Sequence, residues 1–258
     1  MVKPKFYDMN VHSIPDGKNT PQQTSILAKH FGYAGIAITN HSNIESKPTG
    51  FKSNGFEVFK GIEVVSNNPS KLHGLIGKYR RNVDVLVIHG GNENINRAAV
   101  ENRNVDILAH PCTPKDSGLN HILAKSASEN NVAIEFNLDS VFKGRGGRRV
   151  HTLSYFRKNV EIARKFDVPM ILTSNAASYF DLRAPWEMIA LAGLFGMEKD
   201  EAISAISTVP AGIIARNRPG PGFIREGVEE IIEEVNSKDS SIDIDNIDSE
   251  PEEAGVSN

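Results

Sequence analysis

Short apolar runs recur along the chain, and each of them ends in polar residues. In the first run, Phe6–Ser13, the polar residues Asp8, Asn10 and His12 alternate with apolar ones. In a β-strand this spacing sends the three polar side chains to one face and the apolar ones to the other. A row of Asp, Asn and His fills a core poorly, so this strand predicts a site.

Six further runs have the same form, and amphipathic helices are predicted between them. The helix over about Arg148–Phe166, for example, carries apolar residues at helical spacing. This alternation predicts an α/β fold, a TIM-like (β/α) barrel over residues 1–218, irregular or seven-stranded because no eighth strand is evident. A doubly wound open sheet is the alternative, but no glycine-rich phosphate fingerprint supports it. The six runs are Ile36–His41, Gly61–Ser66, Val85–His89, Ile107–His110, Ala133–Asn137 and Ile171–Asn175.

Polar residues at the ends of parallel strands are expected to meet at the carboxyl-terminal mouth of such a barrel. Four histidines converging with carboxylates would ordinarily suggest divalent metal ions. Taken singly, each histidine is more simply a hydrogen-bonded residue of the mouth. The candidate set is His12, His41, His89 and His110 together with Asp8 and Glu63.

The charge is distributed unevenly along the chain. Residues 226–258 hold twelve acidic side chains and one basic side chain, a formal charge of −11. Residues 1–225, with 28 basic and 20 acidic side chains, therefore carry +8. A basic body suggests a polyanionic partner, whereas surplus lysine on an ordinary solvated surface is the simpler interpretation.

Two basic clusters are candidates for binding phosphate. The first is flanked by glycines and follows a strand end, which would place it at the mouth, where backbone and arginine can both reach phosphate oxygens. A flexible connection with a basic helix start explains it equally well. The second cluster is expected to continue the same surface. Together they comprise Lys143, Arg145, Arg148, Arg149, Arg216 and Arg218.

The chain changes character after the Pro219–Gly222 segment. We predict a hinge and an acidic amphipathic helix over 219–235, the helix being Phe223–Val235, and a disordered acidic tail over 236–258. The apolar stripe of that helix needs a surface to pack on, either the barrel or a protein partner. An interaction scaffold built on this stripe is therefore one alternative function.

Several residues are more simply structural. Cys112, the single cysteine, excludes an internal disulfide and suggests a reducing compartment, and we expect it to be a small buried residue. Trp186 lies on an apolar predicted helix and is expected in the core. No segment is apolar enough to span a bilayer or to serve as a signal peptide, so we expect a cytoplasmic protein without membrane contacts.

Five motifs carry a resemblance to a known family over roughly residues 3–217. The sequence resembles the polymerase-and-histidinol-phosphatase barrel superfamily and, within it, the archaeal ribonuclease P protein component 3 family, the counterpart of the eukaryotic 30-kDa subunit. The acidic tail is not covered. The motifs are DMNVHS at Asp8–Ser13, ITNHS at Ile38–Ser42, GIEV at Gly61–Val64, ILAHP at Ile107–Pro111 and TSNAAS at Thr173–Ser178.

The departures from the metal-binding members of the superfamily bear on function. Asn10 stands where the resemblance leads one to expect histidine, Asn40 precedes His41 where aspartate is usual, and Asn175 replaces a late Asp-x-His. Neutral amides thus replace several ligands at once. We expect no catalytic residues and no cofactor in this chain, and a single weakly held ion near His12, His89 and His110 is the less favoured expectation. A metal-dependent phosphoesterase is the alternative.

The resemblance implies a protein subunit of ribonuclease P, the ribonucleoprotein endonuclease that removes the 5′ leader from precursor tRNA. It implies that the RNA subunit performs catalysis, with Mg²⁺, while this chain supports RNA folding. The expected partners are the ribonuclease P RNA, protein component 2 and the other ribonuclease P proteins, with precursor tRNA contacted indirectly.

Overall fold

The computed structural model describes residues 4–218, 223–225 and 228–229. The chain divides into two units, Met1–Pro219 and Gly220–Asn258. Within the part of the chain that is described, no helix is long and apolar enough to cross a membrane.

Seven parallel strands form the wall of a barrel in the first unit. In order around the wall they are β1 (Phe6–Val11), β2 (Tyr33–Ile38), β4 (Phe56–Val64), β5 (Val85–His89), β6 (Ile107–Ala109), β7 (Ala133–Asn137) and β8 (Met170–Thr173), while β3 (Phe51–Ser53) pairs antiparallel with β4. A parallel bridge between Val11 and Ala176, which follows β8, closes the wall between β8 and β1. The predicted seven-stranded TIM-like barrel is confirmed, and the open sheet is excluded.

Helices connect the strands and begin at residues suited to that position. Thr20 caps α1 in a capping box, and the side chains of Asn68, Asn92 and Asn120 accept hydrogen bonds from the first turns of α2, α3 and α4. The helices are α1 (Pro21–His30), α2 (Pro69–Arg80), α3 (Glu93–Val100), α4 (His121–Glu129), α5 (Asp139–Phe142), α6 (Gly147–Lys165), α7 (Pro185–Ala192), α8 (Lys199–Ile206) and α9 (Thr208–Asn217), with a 3₁₀ turn at Gly193–Phe195.

The core has two layers, as a barrel requires. Inside the wall, Met9, Phe59 and Ile171 pack with small and branched residues from the other strands, and Ile213 of α9 joins them. Outside the wall, the opposite faces of the strands pack against the helices. The sequence did not predict α9, because it contains Pro210 and Gly212. Pro210 lies in the first helical turn, where a missing backbone N–H costs no helical hydrogen bond.

Two structural predictions are wrong. Phe223–Arg225 and Val228–Glu229 are short strands paired antiparallel instead of the start of the predicted helix. A glycine such as Gly227 within this segment lowers helix stability by about 1 kcal/mol relative to alanine, which disfavours the predicted helix. The rest of that helix and the predicted disorder of 236–258 lie outside the described residues. Trp186 is 54% exposed instead of buried, with its ring edge-on to Phe6.

Candidate functional site

A buried carboxylate, Glu63 at the end of β4, is the centre of the barrel mouth. Its side chain is fully buried, and His89 approaches it most closely, with Nδ1 2.6 Å from Oε1. The Nε2 atoms of His12, His41 and His110 lie 3.6 to 3.7 Å from its two oxygens. The structure therefore brings together all four histidines and the glutamate that the sequence nominated.

Asp16 is a second carboxylate of this cluster, and sequence reasoning missed it. Its Oδ2 accepts the backbone N–H of His41 at 2.7 Å and lies 2.7 Å from Nδ1 of His41 and 3.1 Å from Nδ1 of His12. The two imidazoles stack with their centroids 4.7 Å apart. Asp16 follows His12 in a turn and not at a strand end; the Asp-Gly pair at 16–17 was the available signal, but it predicted only a turn.

Hydrogen bonds and charges set the protonation of this cluster. Burial alone would raise the pKa of Glu63, but the hydrogen bond from His89 and the charges of His110 and His12 lower it to about 2. The hydrogen bond to Glu63 raises the pKa of His89. Burial acts to lower the pKa of His12, yet its contacts with Asp16 and Glu63 outweigh burial and raise it. Carboxylates and imidazoles thus stabilise each other's charged forms.

The resemblance noted in the sequence implies metal ions at this position, and the mouth offers candidate ligands for them. Glu63 Oε2 is buried without a hydrogen-bond partner, and single ligand atoms of His41, Glu63 and His89 lie within 4.8 Å of one another. Imidazoles with one carboxylate suit a single ion such as Zn²⁺, which would supply positive charge at the mouth. The Asn175 amide, 2.9 Å from Nε2 of His12, offers only a neutral oxygen. Ligand atoms of His12, Asp16 and His41 form a second such group that shares His41 with the first, so an ion fits at either group, and the expected absence of a cofactor stays a prediction.

The prediction that Asp8, Asn10 and His12 share one face of β1 is only partly correct. Met9 packs inside the barrel, and the next residue, Asn10, also faces inward, where its amide donates to Glu135 at 2.8 Å. A register irregularity between Asp8 and Val11 makes this possible. Asp8 consequently stands apart from the histidines and accepts the backbone N–H of Ser174.

Glu135 is a further buried carboxylate that the sequence analysis did not single out. It accepts hydrogen bonds from Asn10, from the hydroxyl of Thr173 at 2.6 Å and from the backbone N–H of His110 at 3.2 Å. The run Ala133–Asn137 contained the signal, a glutamate inside an apolar strand. Its contacts tie the ends of β1, β6 and β8 together beneath the histidine cluster.

The first basic cluster lies at the start of α6, after β7, on the mouth side of the barrel. Lys143 approaches Asp139 at 3.3 Å and Asp181 at 3.4 Å. Arg149 donates to the backbone carbonyl of Gly144. Arg145 and Arg148 are exposed and form no ion pair with residues that the structure describes.

The second basic cluster lies at the opposite end of the barrel, so the two clusters do not form one surface. Arg216 Nη2 lies 2.9 Å from Asp106, which precedes β6. Arg218 forms an ion pair with Asp84, which precedes β5, at 2.6 Å, and another with Glu57. These arginines hold α9 across the amino-terminal end of the barrel. Their proposed contact with RNA stays a prediction that no observation tests.

Fold and site together define a parallel (β/α) barrel with a histidine-lined mouth. A solved zinc-, histidinol- and phosphate-bound histidinol phosphate phosphatase from Lactococcus lactis shares this fold, with a TM-score of 0.51 and 14% identity over 80% of this chain and 98% of that one. At this identity, the likeness concerns the fold alone.

The chain belongs to the family described as RNase P subunit p30, whose sequence model matches residues 5–219. Ribonuclease P protein component 3 of Methanococcoides burtonii is 60% identical over 89% of this chain and 95% of its own length. The corresponding protein of Methanosarcina barkeri is 59% identical, over 91% and 98%. A chain in the structure of archaeal ribonuclease P with mature tRNA superimposes with a TM-score of 0.72 and 28% identity, over 88% of this chain and 99% of that chain.

Proposed function

We infer that this chain is a protein subunit of ribonuclease P, the ribonucleoprotein endonuclease that processes the 5′ end of tRNA. Family membership over residues 5–219 carries this inference. The match to a chain of archaeal ribonuclease P determined with mature tRNA supports it. Catalysis is assigned to the RNA subunit with Mg²⁺, and the isolated chain is assigned no catalytic residue.

Lys143, Arg145, Arg148 and Arg149 are proposed as the RNA-binding residues. Arg145 and Arg148 support this best, because both are exposed and have no carboxylate partner among the described residues. Arg148 and Arg149 also lie in the first turn of α6, where cations are unfavourable next to the positive end of the helix dipole. A bound phosphate would relieve that repulsion. By contrast, Arg216 and Arg218 already neutralise carboxylates.

The test compares binding of ribonuclease P RNA by the full-length protein and a variant carrying both Arg145→Ala and Arg148→Ala. Arg103→Ala is the matched control, because Arg103 is exposed but precedes β6 at the other end of the barrel. We expect the double variant to bind the RNA less tightly than the wild type. The slope of log affinity against log salt concentration should be shallower by the amount that about two phosphate contacts contribute. Equal affinities of the double variant and the control would contradict this assignment.

The assembly partners follow from the same assignment. We propose that the chain works in the cytoplasm with ribonuclease P RNA, protein component 2 and the other protein subunits, and meets precursor tRNA only indirectly. Purification of the tagged protein from its native cells should enrich ribonuclease P RNA and small basic proteins. Recovery of the protein with stoichiometric Mn or Zn and without RNA would favour the phosphoesterase, whose activity should then be lost in His12→Ala.

A further inference from the structure

A cavity of about 180 Å³ opens at the barrel mouth beside the histidine cluster. It lies between α6 and the segment that follows β6. Its polar lining comprises His110, Glu135, Asn137, Ser140, Thr152 and Tyr155. The cavity shares His110 with the cluster around Glu63. Its other lining residues Thr152 and Tyr155 form no hydrogen bond to that cluster among the described residues, so the cavity adjoins the cluster and extends the mouth toward α6.

One face of α6 connects this cavity to the proposed RNA-binding residues. Arg148, Thr152, Tyr155 and Lys158 follow each other at four-, three- and three-residue intervals, which places them on the same side of the helix. Arg148 and Lys158 are exposed, and they are separated by about 15 Å along the axis. A cation therefore flanks the cavity on each side, as in grooves that track the backbone of single-stranded RNA.

The Glu135 carboxylate in the lining favours a neutral group next to it over a phosphate. Glu135 is 1% exposed, and its Oε2 accepts only the backbone N–H of His110 among the described residues. A carboxylate oxygen has capacity for a further donor. This oxygen would repel a phosphate, but it would accept an N–H from the edge of a nucleobase, as carboxylates do from cytosine.

The size of the cavity limits the ligand to a single ring. A protein cavity of about 150 Å³ is large enough to bind benzene, so 180 Å³ accommodates one six-membered ring with its substituents. The half-buried ring of Tyr155 offers a surface for stacking, and its centroid lies 6.2 Å from that of His151. A pyrimidine, which carries an N–H donor on its pairing edge, matches both the volume and Glu135.

We propose that this cavity binds the base of an unpaired pyrimidine nucleotide of RNA, with the flanking phosphates on Arg148 and Lys158. The proposal rests on the RNA-binding function inferred above and adds a base-binding site to it. The base stacks on Tyr155 and donates a hydrogen bond to Glu135, while the backbone runs along α6.

The test uses the full-length protein and two fluorescent RNA pentamers measured by anisotropy. One pentamer is oligocytidylate, and the other has the same phosphates but lacks the central base. We expect the wild type to bind the complete pentamer roughly tenfold to a hundredfold more tightly, the usual range for one stacked base. Tyr155→Leu should remove this difference, whereas Arg148→Ala should weaken binding of both pentamers equally.

Control variants and a second RNA distinguish an error in the base-binding site from an error in the RNA-binding function. Tyr79→Leu, on α2, is the matched control and should leave the preference for the complete pentamer unchanged. If Tyr155→Leu unfolds, Thr152→Leu replaces it, because a leucine there fills the cavity while Tyr155 is kept. Equal affinity of the wild type for both pentamers overturns the base-binding site while RNA binding stands. Absence of binding to both pentamers, together with absence of binding to ribonuclease P RNA, overturns the RNA-binding function itself.

Discussion

Asp106 should be among the most important side chains for stability, because it joins α9 to the amino-terminal end of the barrel. Its carboxylate is 1% exposed and accepts four hydrogen bonds: Arg80 at 2.5 Å, the backbone N–H of Leu86 at 2.8 Å, Asn217 at 2.8 Å and Arg216 at 2.9 Å. In Asp106→Ala the backbone N–H of Leu86 loses its partner in a buried position.

The expected loss can be worked out from these contacts. An unsatisfied buried N–H costs about 1 to 3 kcal/mol, and removal of one partner of a buried ion pair costs about 3 to 5 kcal/mol in total. Since Arg80 and Arg216 are partly exposed and can turn to solvent, we expect Asp106→Ala to lower the free energy of unfolding by about 3 to 4 kcal/mol.

Urea denaturation followed by circular dichroism measures this loss directly. Glu129→Ala is the matched control, because Glu129 forms an ion pair with Lys125 at 3.8 Å but is 63% exposed, so the cost should stay below about 1 kcal/mol. Arg216→Ala should likewise destabilise the protein while leaving RNA affinity unchanged. A loss below about 1 kcal/mol for Asp106→Ala would refute the view that this ion-pair network holds α9 in place.

Three further predictions concern other parts of the chain. Burial raises the pKa of Asp8 from 3.8 to about 6, so the folded state binds this proton more tightly than the unfolded state does. The free energy of unfolding should therefore fall by up to about 3 kcal/mol as pH rises between these two values. Asp8→Asn should abolish this fall in denaturation curves measured from pH 4 to 7. Burial raises the pKa of the Cys112 thiol to about 12, so a thiol reagent at pH 8 should label the folded protein far more slowly than the unfolded protein, and equal rates would contradict this. Deletion of Asn236–Asn258 should increase nonspecific RNA affinity at low salt if the acidic tail screens the basic body, and an unchanged affinity would exclude that role.

Much of the barrel could be predicted from local patterns. Apolar runs such as Val85–His89 end in polar residues where the strands end, and α1 begins directly after Thr20, whose side chain accepts a backbone N–H of the first turn. The histidines at the strand ends were predicted to converge because parallel strands in a barrel finish at one mouth, and the four around Glu63 confirm it.

The remaining features depend on contacts between residues far apart in sequence. The alternation of polar and apolar residues in β1 predicted that Asp8 would face the same side as His12. The register irregularity in β1 changes this, since Met9 and Asn10 both face the inside of the barrel and Asp8 faces away from the histidines. Arg218 and the mouth arginines look alike in the sequence, yet α9 carries Arg218 to the carboxylates at the opposite end.

The sequence by itself determined the alternation of the seven wall strands with helices, the histidine-lined mouth and the resemblance to the family, because these depend on periodicity and on residue type at strand ends. Only the tertiary structure decided which charged groups are neutralised. It showed Asp16 between two histidines, Arg216 paired with Asp106, and Arg148 near a cavity at the mouth with no ion pair to any described residue. Ion pairing depends on distances across the folded chain, and local sequence does not encode those distances.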